Sequence, residues 1–256
     1  MEIKGKVAMV TGGAAGIGRA YCEELLKHGA KVSICDINEE VGSKLADLLS
    51  AKFGYGKVRF CPCDVTDYPQ FKEAFHKTIT SFGGLDIVVN NAGVFNDRFW
   101  EFEVDVNLNG VIRGTLLAMQ LMGKDKGGRG GTVVVTSSTM GYKPCPSMPI
   151  YSATKHALIG FIRSFGDSYH NNLTGIRVIA LCPGMTLTDA IPEDVTHALL
   201  SPSFLHLWDK DVAPQAPQAA QSVGRGLIHV LQKAQNGSVW VVENNKSAKE
   251  VKFPNF

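Results

Sequence analysis

Seven short apolar runs rich in β-branched residues alternate along the chain with longer amphipathic stretches, and no other feature constrains the fold as much. The runs are "KVAMVT" from Lys6, "KVSICD" from Lys31, "KVRFCPCDV" from Lys57, "LDIVVNNAG" from Leu85, "GGTVVVTSS" from Gly130, "GIRVIALCPG" from Gly175 and "GSVWVVE" from Gly237. Between them, helical patterns span 16–29, 39–52, a stretch from a cap at Asp67 to about Phe82, about 98–123, Tyr151 to about Tyr169, and 214–234. Strands that are apolar on both faces need cover on both faces. The alternation therefore predicts an α/β fold with a doubly wound parallel sheet of about seven strands and helices on either side. No shift in composition marks a linker, so 1–256 reads as one domain.

Composition narrows the function. The chain is 45% hydrophobic and 20% charged, as globular proteins are, and its net charge of +2 gives no electrostatic case for nucleic acid or an anionic membrane. No segment approaches the roughly 18 apolar residues of a membrane span. The first apolar run is too short for a secretory signal, so a cytoplasmic protein is expected. The six cysteines are scattered, several inside apolar runs, and read as reduced core thiols. "CPC" at 61–63 has no second ligand pair and the histidines have no metal spacing, so no metal site is expected.

"VTGGAAGIGRA" follows the first strand and opens the first helix. Glycines there allow a tight turn and close approach of a ligand to backbone. The helix start adds free N–H groups and a positive dipole suited to a pyrophosphate. A lone glycine cluster is a weak signal, but the strand–turn–helix context makes this a dinucleotide-binding Rossmann pattern. Asp36 ends the second strand 18 residues after Gly18. A carboxylate there accepts hydrogen bonds from an adenosine ribose and repels a 2′-phosphate, and no basic residue immediately precedes Gly16 to compensate. NAD is therefore expected rather than NADP. Asp64 ends the third strand in the same way, as an adenine contact or simply a turn acid.

Tyr151 and Lys155 lie four apart at the start of an apolar helix, with Ser138 after the fifth strand and Asn107 in "VDVNLNG". Alone, such a tyrosine and lysine would be an ordinary amphipathic pair. Together, "TGGAAGIG" (11–18), "NNAG" (90–93), Ser138 with Tyr151-x-x-x-Lys155, and "PGMTLT" (183–188) resemble the short-chain dehydrogenase/reductase family, in order over nearly the whole chain. Within it the sequence is similar to the NAD-dependent enzymes that oxidise prostaglandins and to insect-type alcohol dehydrogenases. The resemblance implies an oxidoreductase in which Tyr151 takes the alcohol proton as hydride leaves carbon for the cofactor. Lys155 would lower the tyrosine pKa and hold the nicotinamide ribose, and Ser138 would bind the substrate oxygen. Asn107 would bind backbone and a water that reaches Lys155. The resemblance further places Gly12, Gly16, Ile17, Gly18, Asp36, Asp64, Val65, Asn91, Ala92, Gly93, Pro183, Gly184 and Thr186 on the cofactor, with Thr188 at its carboxamide.

Parallel sheets bind ligands beyond the carboxyl ends of their strands. The irregular stretch of about 185–217 lies on that edge, is long for a loop, and is expected to form a substrate lid. Its Ile191, Leu199, Leu200, Phe204, Leu205, Leu207 and Trp208, with Phe95, Met140, Tyr142 and Met148 from other edge loops, suggest an apolar pocket. The expected partner is a small apolar alcohol or ketone. Prostaglandin-oxidising members carry a substrate-holding glutamine three residues before the tyrosine, where this chain has Met148. Met148 is thus a candidate substrate contact, and a terpenoid, retinoid or steroid alcohol fits as well as a prostaglandin. Carbonyl reduction is the alternative direction, and a cofactor-binding protein without turnover the alternative class. The resemblance also implies a homodimer or homotetramer built on the helices at about 98–123 and 150–168.

Overall fold

The computed structural model describes residues 1–188, 191–192 and 194–254. The first strands and helices follow the sequence pattern closely: β1 (Val7–Thr11), α1 (Gly16–Lys27), β2 (Lys31–Asp36), α2 (Glu39–Phe53), β3 (Val58–Pro62), α3 (Tyr68–Phe82) and β4 (Ile87–Asn90). Asn38 and Asp67 each accept a backbone N–H at the start of α2 and α3, and Gly83 in the left-handed region ends α3.

The stretch expected as one helix from about 98 to 123 is a composite. A 3₁₀ turn (Asp97–Phe99) leads into α4 (Trp100–Val104), a π-helical turn (Asp105–Gly110) and α5 (Val111–Met122). The π turn sits where Asn107 is tied to the loop after β4 by two hydrogen bonds with Val94 backbone, both 2.8 Å. After β5 (Gly131–Thr136) come α6 (Pro149–Phe165), α7 (Ser168–Thr174) and β6 (Ile176–Pro183). The long helix expected to reach Tyr169 stops at Gly166, packed so tightly on Gly237 that a Cβ would lie 2.2 Å from its Cα, and Asp167 caps α7.

The carboxyl-terminal part holds α8 (Leu205–Asp211), α9 (Ala220–Lys233), β7 (Val239–Val242) and β8 (Lys249–Glu250). Helix α9 begins later than the expected 214. Pro217 disfavours helix before it. The buried Gln218 is extended, pairing with Met185 and Leu187 backbone and donating Nε2 to Val242 O at 2.7 Å. The eighth strand is a two-residue antiparallel addition beyond the seven expected. In the tail, Phe253 lies under the Arg163 guanidinium, 4.5 Å from ring centroid.

The strands order as β3-β2-β1-β4-β5-β6-β7-β8, parallel throughout except the last pair. Successive residues of β1 and β4 point to opposite faces. Met9 and Val88 join a core packed under α3, α5 and α6, whereas Ala8, Val10, Ile87 and Val89 join one under α1, α2 and α9. Strand order reverses between β1 and β4, which opens a crevice at their carboxyl ends. A third, smaller cluster of Cys145, Met148, Val195, Leu199, Trp208 and Val212 roofs that crevice.

Candidate active site

The crevice is a cavity of about 480 Å³, running from the glycine loop past Asp36 and Asp64 to Ser138, Tyr151 and Lys155. The glycine loop is built by close packing. A Cβ on Gly12 (φ +60°) would stand 2.9 Å from Ala92 Cα, and one on Gly18 would stand 1.9 Å from Gly12 O. Asn91 straps the loop down: its Nδ2 donates to Thr11 O at 3.0 Å and Gly12 O at 3.3 Å, and its Oδ1 accepts from Thr136 at 3.2 Å. Thr11 Oγ1 accepts from the N–H groups of Asn91 and Ala92 at 3.0 and 3.1 Å. Ala15 gives α1 no side-chain cap, so the first helical N–H groups along the cavity remain for a ligand.

Asp36 Oδ2 accepts from Ala14 N–H at 2.9 Å and Oδ1 from Asn38 N–H at 3.0 Å, which fixes the carboxylate at the cavity wall. Asp64 Oδ1 accepts from Thr66 N and Oγ1 at 2.8 and 2.7 Å; it serves the turn as well as lining the cavity. This mix of uncapped helix start, bare glycine backbone and a half-buried acid at the end of β2 suits the pyrophosphate and ribose of a dinucleotide. Among the described residues, no group of three or more His, Cys, Asp or Glu side chains could hold a metal ion.

At the other end, α6 brings Tyr151 and Lys155 to the cavity one turn apart. Lys155 is buried; its Nζ donates to Thr136 O at 3.2 Å and lies 5.3 Å from the Tyr151 ring centroid. Burial pulls the ammonium down to about 8, partly opposed by Glu103. From the sequence, Lys155 is expected to bring Tyr151 below its ordinary value. In the protein alone the reverse holds: burial pushes the phenol up, and the hydrogen bond from Ser138 only partly offsets it. Ser138 Oγ also accepts Met140 N–H at 3.1 Å, which fixes the hydroxyl over the cavity.

Every expected cofactor contact lines the cavity, Thr186 and Thr188 included. Two other expected residues do not. Asn107 is fully buried behind the wall, its amide spent on Val94 backbone beside Gly93. Met148, expected at the substrate, is also fully buried, packed into the roof cluster because Pro149 turns the chain into α6 there.

The expected lid carries 3₁₀ turns at Val195–His197 and Pro202–Phe204 before α8; its Asp189, Ala190 and Glu193 lie outside the described residues. Ile191 and Met185 line the cavity, Leu199 and Trp208 are buried in the roof, and Leu200 and Leu205 face outward. Phe95 connects roof to site, its ring centroid 5.5 Å from Trp208 and 4.9 Å from Tyr151.

Two buried acids escaped the sequence reading. Asp97 accepts the N–H groups of Ile150 and Tyr151, both at 2.8 Å, and so caps α6 from across the site. Glu103 stands beside it, with Oε1 accepting Asn96 N–H at 2.8 Å. A signal existed: "SMPIY" supplies Pro149 for the first turn but no capping acceptor, so one had to come from elsewhere.

The short chain dehydrogenase family model matches residues 6–198. A 15-hydroxyprostaglandin dehydrogenase [NAD(+)] of Rattus norvegicus is 38% identical over 96% of this chain and 94% of its own length. Alcohol dehydrogenase 2 of Ceratitis cosyra is 30% identical over 97% of this chain and 95% of its own. A short chain dehydrogenase/reductase from Burkholderia phymatum, solved in complex with NAD, superposes with a TM-score of 0.78 at 24% identity, covering 92% of this chain and 89% of that one. This last likeness concerns the fold.

Proposed function

The chain belongs to the short-chain dehydrogenase family, and from that premise we propose that it is an NAD-dependent dehydrogenase oxidising an apolar secondary or primary alcohol, with Tyr151 as general base. The observation that carries this reading is the convergence of Ser138, Tyr151 and Lys155 on one cavity with the glycine loop and Asp36. In this reading Gly12, Gly16, Ile17 and Gly18 hold the pyrophosphate, Asp36 the adenosine ribose, Asp64 and Val65 the adenine side, and Lys155 the nicotinamide ribose. Asn91 to Gly93, Pro183, Gly184, Thr186 and Thr188 line the nicotinamide end. NAD supplies the hydride acceptor when bound.

The remaining steps belong to this chain. Ser138 donates a hydrogen bond to the substrate oxygen and holds it against Tyr151. Tyr151 takes the hydroxyl proton. Burial alone opposes an ionised phenol, so the base depends on nearby positive charge, and the Lys155 ammonium is the cation that the chain provides. Asn107 keeps the wall beside Gly93 in place, both ends of its amide held on Val94 backbone.

The substrate end of the cavity is walled by Val94, Phe95, Phe102, Met140, Met185 and Ile191, which favours an apolar alcohol. With Met148 withdrawn into the roof, that wall offers few polar anchors, so terpenoid, retinoid and steroid alcohols stand beside prostaglandins. We further propose that residues 1–256 work as one catalytic domain with 185–217 as lid, and that two or four copies associate through α5 and α6. A reducing, cytoplasmic setting suits six buried free thiols.

The test mixes purified protein with NAD or NADP and a panel containing a prostaglandin, farnesol, a retinol and a short alkanol, following NADH absorbance. NAD-specific turnover that falls at least about a thousandfold in Tyr151→Phe is expected, on the scale of losing the base and its site together. Turnover that survives the substitution would remove Tyr151 from the chemistry.

A further inference from the structure

Glu103 and Asp97 form a buried acid pair between the 3₁₀ turn, α4 and the amino end of α6. Both are fully excluded from solvent. Asp97 spends both carboxylate oxygens on the Ile150 and Tyr151 N–H groups at 2.8 Å, a position that favours negative charge at a helix start. Glu103 Oε1 takes Asn96 N–H at 2.8 Å, whereas among the described residues no N–H or O–H donor reaches its Oε2. The Asp97 carboxyl is the acid that acts on Glu103, and it raises Glu103 further. A bare carboxylate oxygen buried beside a second buried carboxylate is costly, and a proton on one of the two removes that cost.

We propose that Glu103 is a positioning residue that acts as a neutral acid, donating its Oε2 proton to Asp97, and that this pair sets the amino end of α6 and hence the place of Tyr151 and Lys155. The proposal rests on the functional reading above for its catalytic half only. The titratable groups around Glu103 are Asp97 from the turn before α4 and Lys155 and Tyr151 from α6. Burial, reinforced by Asp97 and opposed by Asn96 N–H and Lys155, holds Glu103 up to about 8. The folded protein then keeps a proton that the unfolded chain loses above its ordinary value of 4.5, so stability owed to this group falls as pH rises towards about 8. Glutamine in its place donates the same hydrogen bond at every pH.

The experiment compares the whole protein with Glu103→Gln and Glu103→Leu. Denaturant titrations at pH 5, 6, 7 and 8 should show the folding constant of wild type falling relative to Glu103→Gln by about tenfold per pH unit, the dependence of one proton. A flat ratio over that range would mean an ordinary ionised glutamate and would overturn the proposal. In turnover at pH 7, Glu103→Leu should lose about tenfold, in kcat more than KM, and Glu103→Gln should recover most of that loss. Equal kcat for the two variants would overturn the positioning half. If wild type turns over no alcohol at all, the functional reading fails, while the stability ratio still decides whether the pair shares a proton.

Discussion

Lys155 shows at the scale of one residue how the proposed function and stability oppose each other. Its ammonium is buried, donating to Thr136 O at 3.2 Å, and burial lowers it from 10.5 to about 8. Between those values the folded protein binds fewer protons than the unfolded chain, so the stability owed to Lys155 rises with pH across that window. At pH 7 the charged form is a net cost. Lys155→Met should therefore raise the unfolding free energy at pH 7 by about 1–3 kcal/mol while abolishing turnover, with the gain shrinking towards pH 10. Denaturant titration at the two pH values checks this; destabilisation at pH 7 would mean that the hydrogen bond to Thr136 O more than compensates the buried charge. Tyr151 and Lys155 were singled out in the sequence by the family resemblance, and helical spacing puts them on one face. The direction of the phenol shift was not legible there, because it depends on how completely the roof closes over the ring.

Among the elements, the roof over the cavity has its own small core, separate from the two that flank the sheet. Trp208 of α8 reaches the site through Phe95, which meets Tyr151 edge-on. Removing a buried Trp side chain costs about 3–5 kcal/mol where it is packed, but a satellite cluster can open without unfolding the sheet. Trp208→Ala should thus raise KM for an apolar alcohol about tenfold while NAD affinity moves less than about twofold, as read by steady-state kinetics and cofactor titration. A matching loss of NAD affinity would mean that the roof and the glycine loop form one unit. Helix bounds were legible where caps are local, as at Asn38 and Asp67. They were not where a distant group intervenes: Val94 backbone on Asn107 made the π turn, Gly237 against Gly166 ended α6, and Gln218 held the chain extended before α9.

Over the whole molecule, all six cysteines are free and buried, distributed over the sheet cores, the cavity floor and the roof. Burial pushes the Cys22, Cys63 and Cys182 thiols up, which keeps them protonated and slow to react. Cys63 also lines the cavity beside Asp64. The hydrogen bond with Cys35 brings the buried Cys61 thiol down to about 6, so burial alone shields it; a thiol reagent should count six groups in denaturant and about one or fewer within minutes in the native protein, with any early reaction at Cys63 suppressed by NAD. Early reaction of several thiols would show that the flanking layers open far more readily than their burial implies.

By itself, the sequence determined the alternation of strands and helices, the glycine loop, the acid at the end of β2, and the serine, tyrosine and lysine of the site. The first three rest on periodicity or on a residue type required within a few positions of its partner, whereas the serine, tyrosine and lysine were singled out through the family resemblance. Only the tertiary structure decided which way Met148 points, what Asn107 holds, and that α6 is capped by Asp97, 53 residues before Ile150. Those outcomes come from side chains that meet across elements far apart in the chain, where no local rule records which neighbour will arrive.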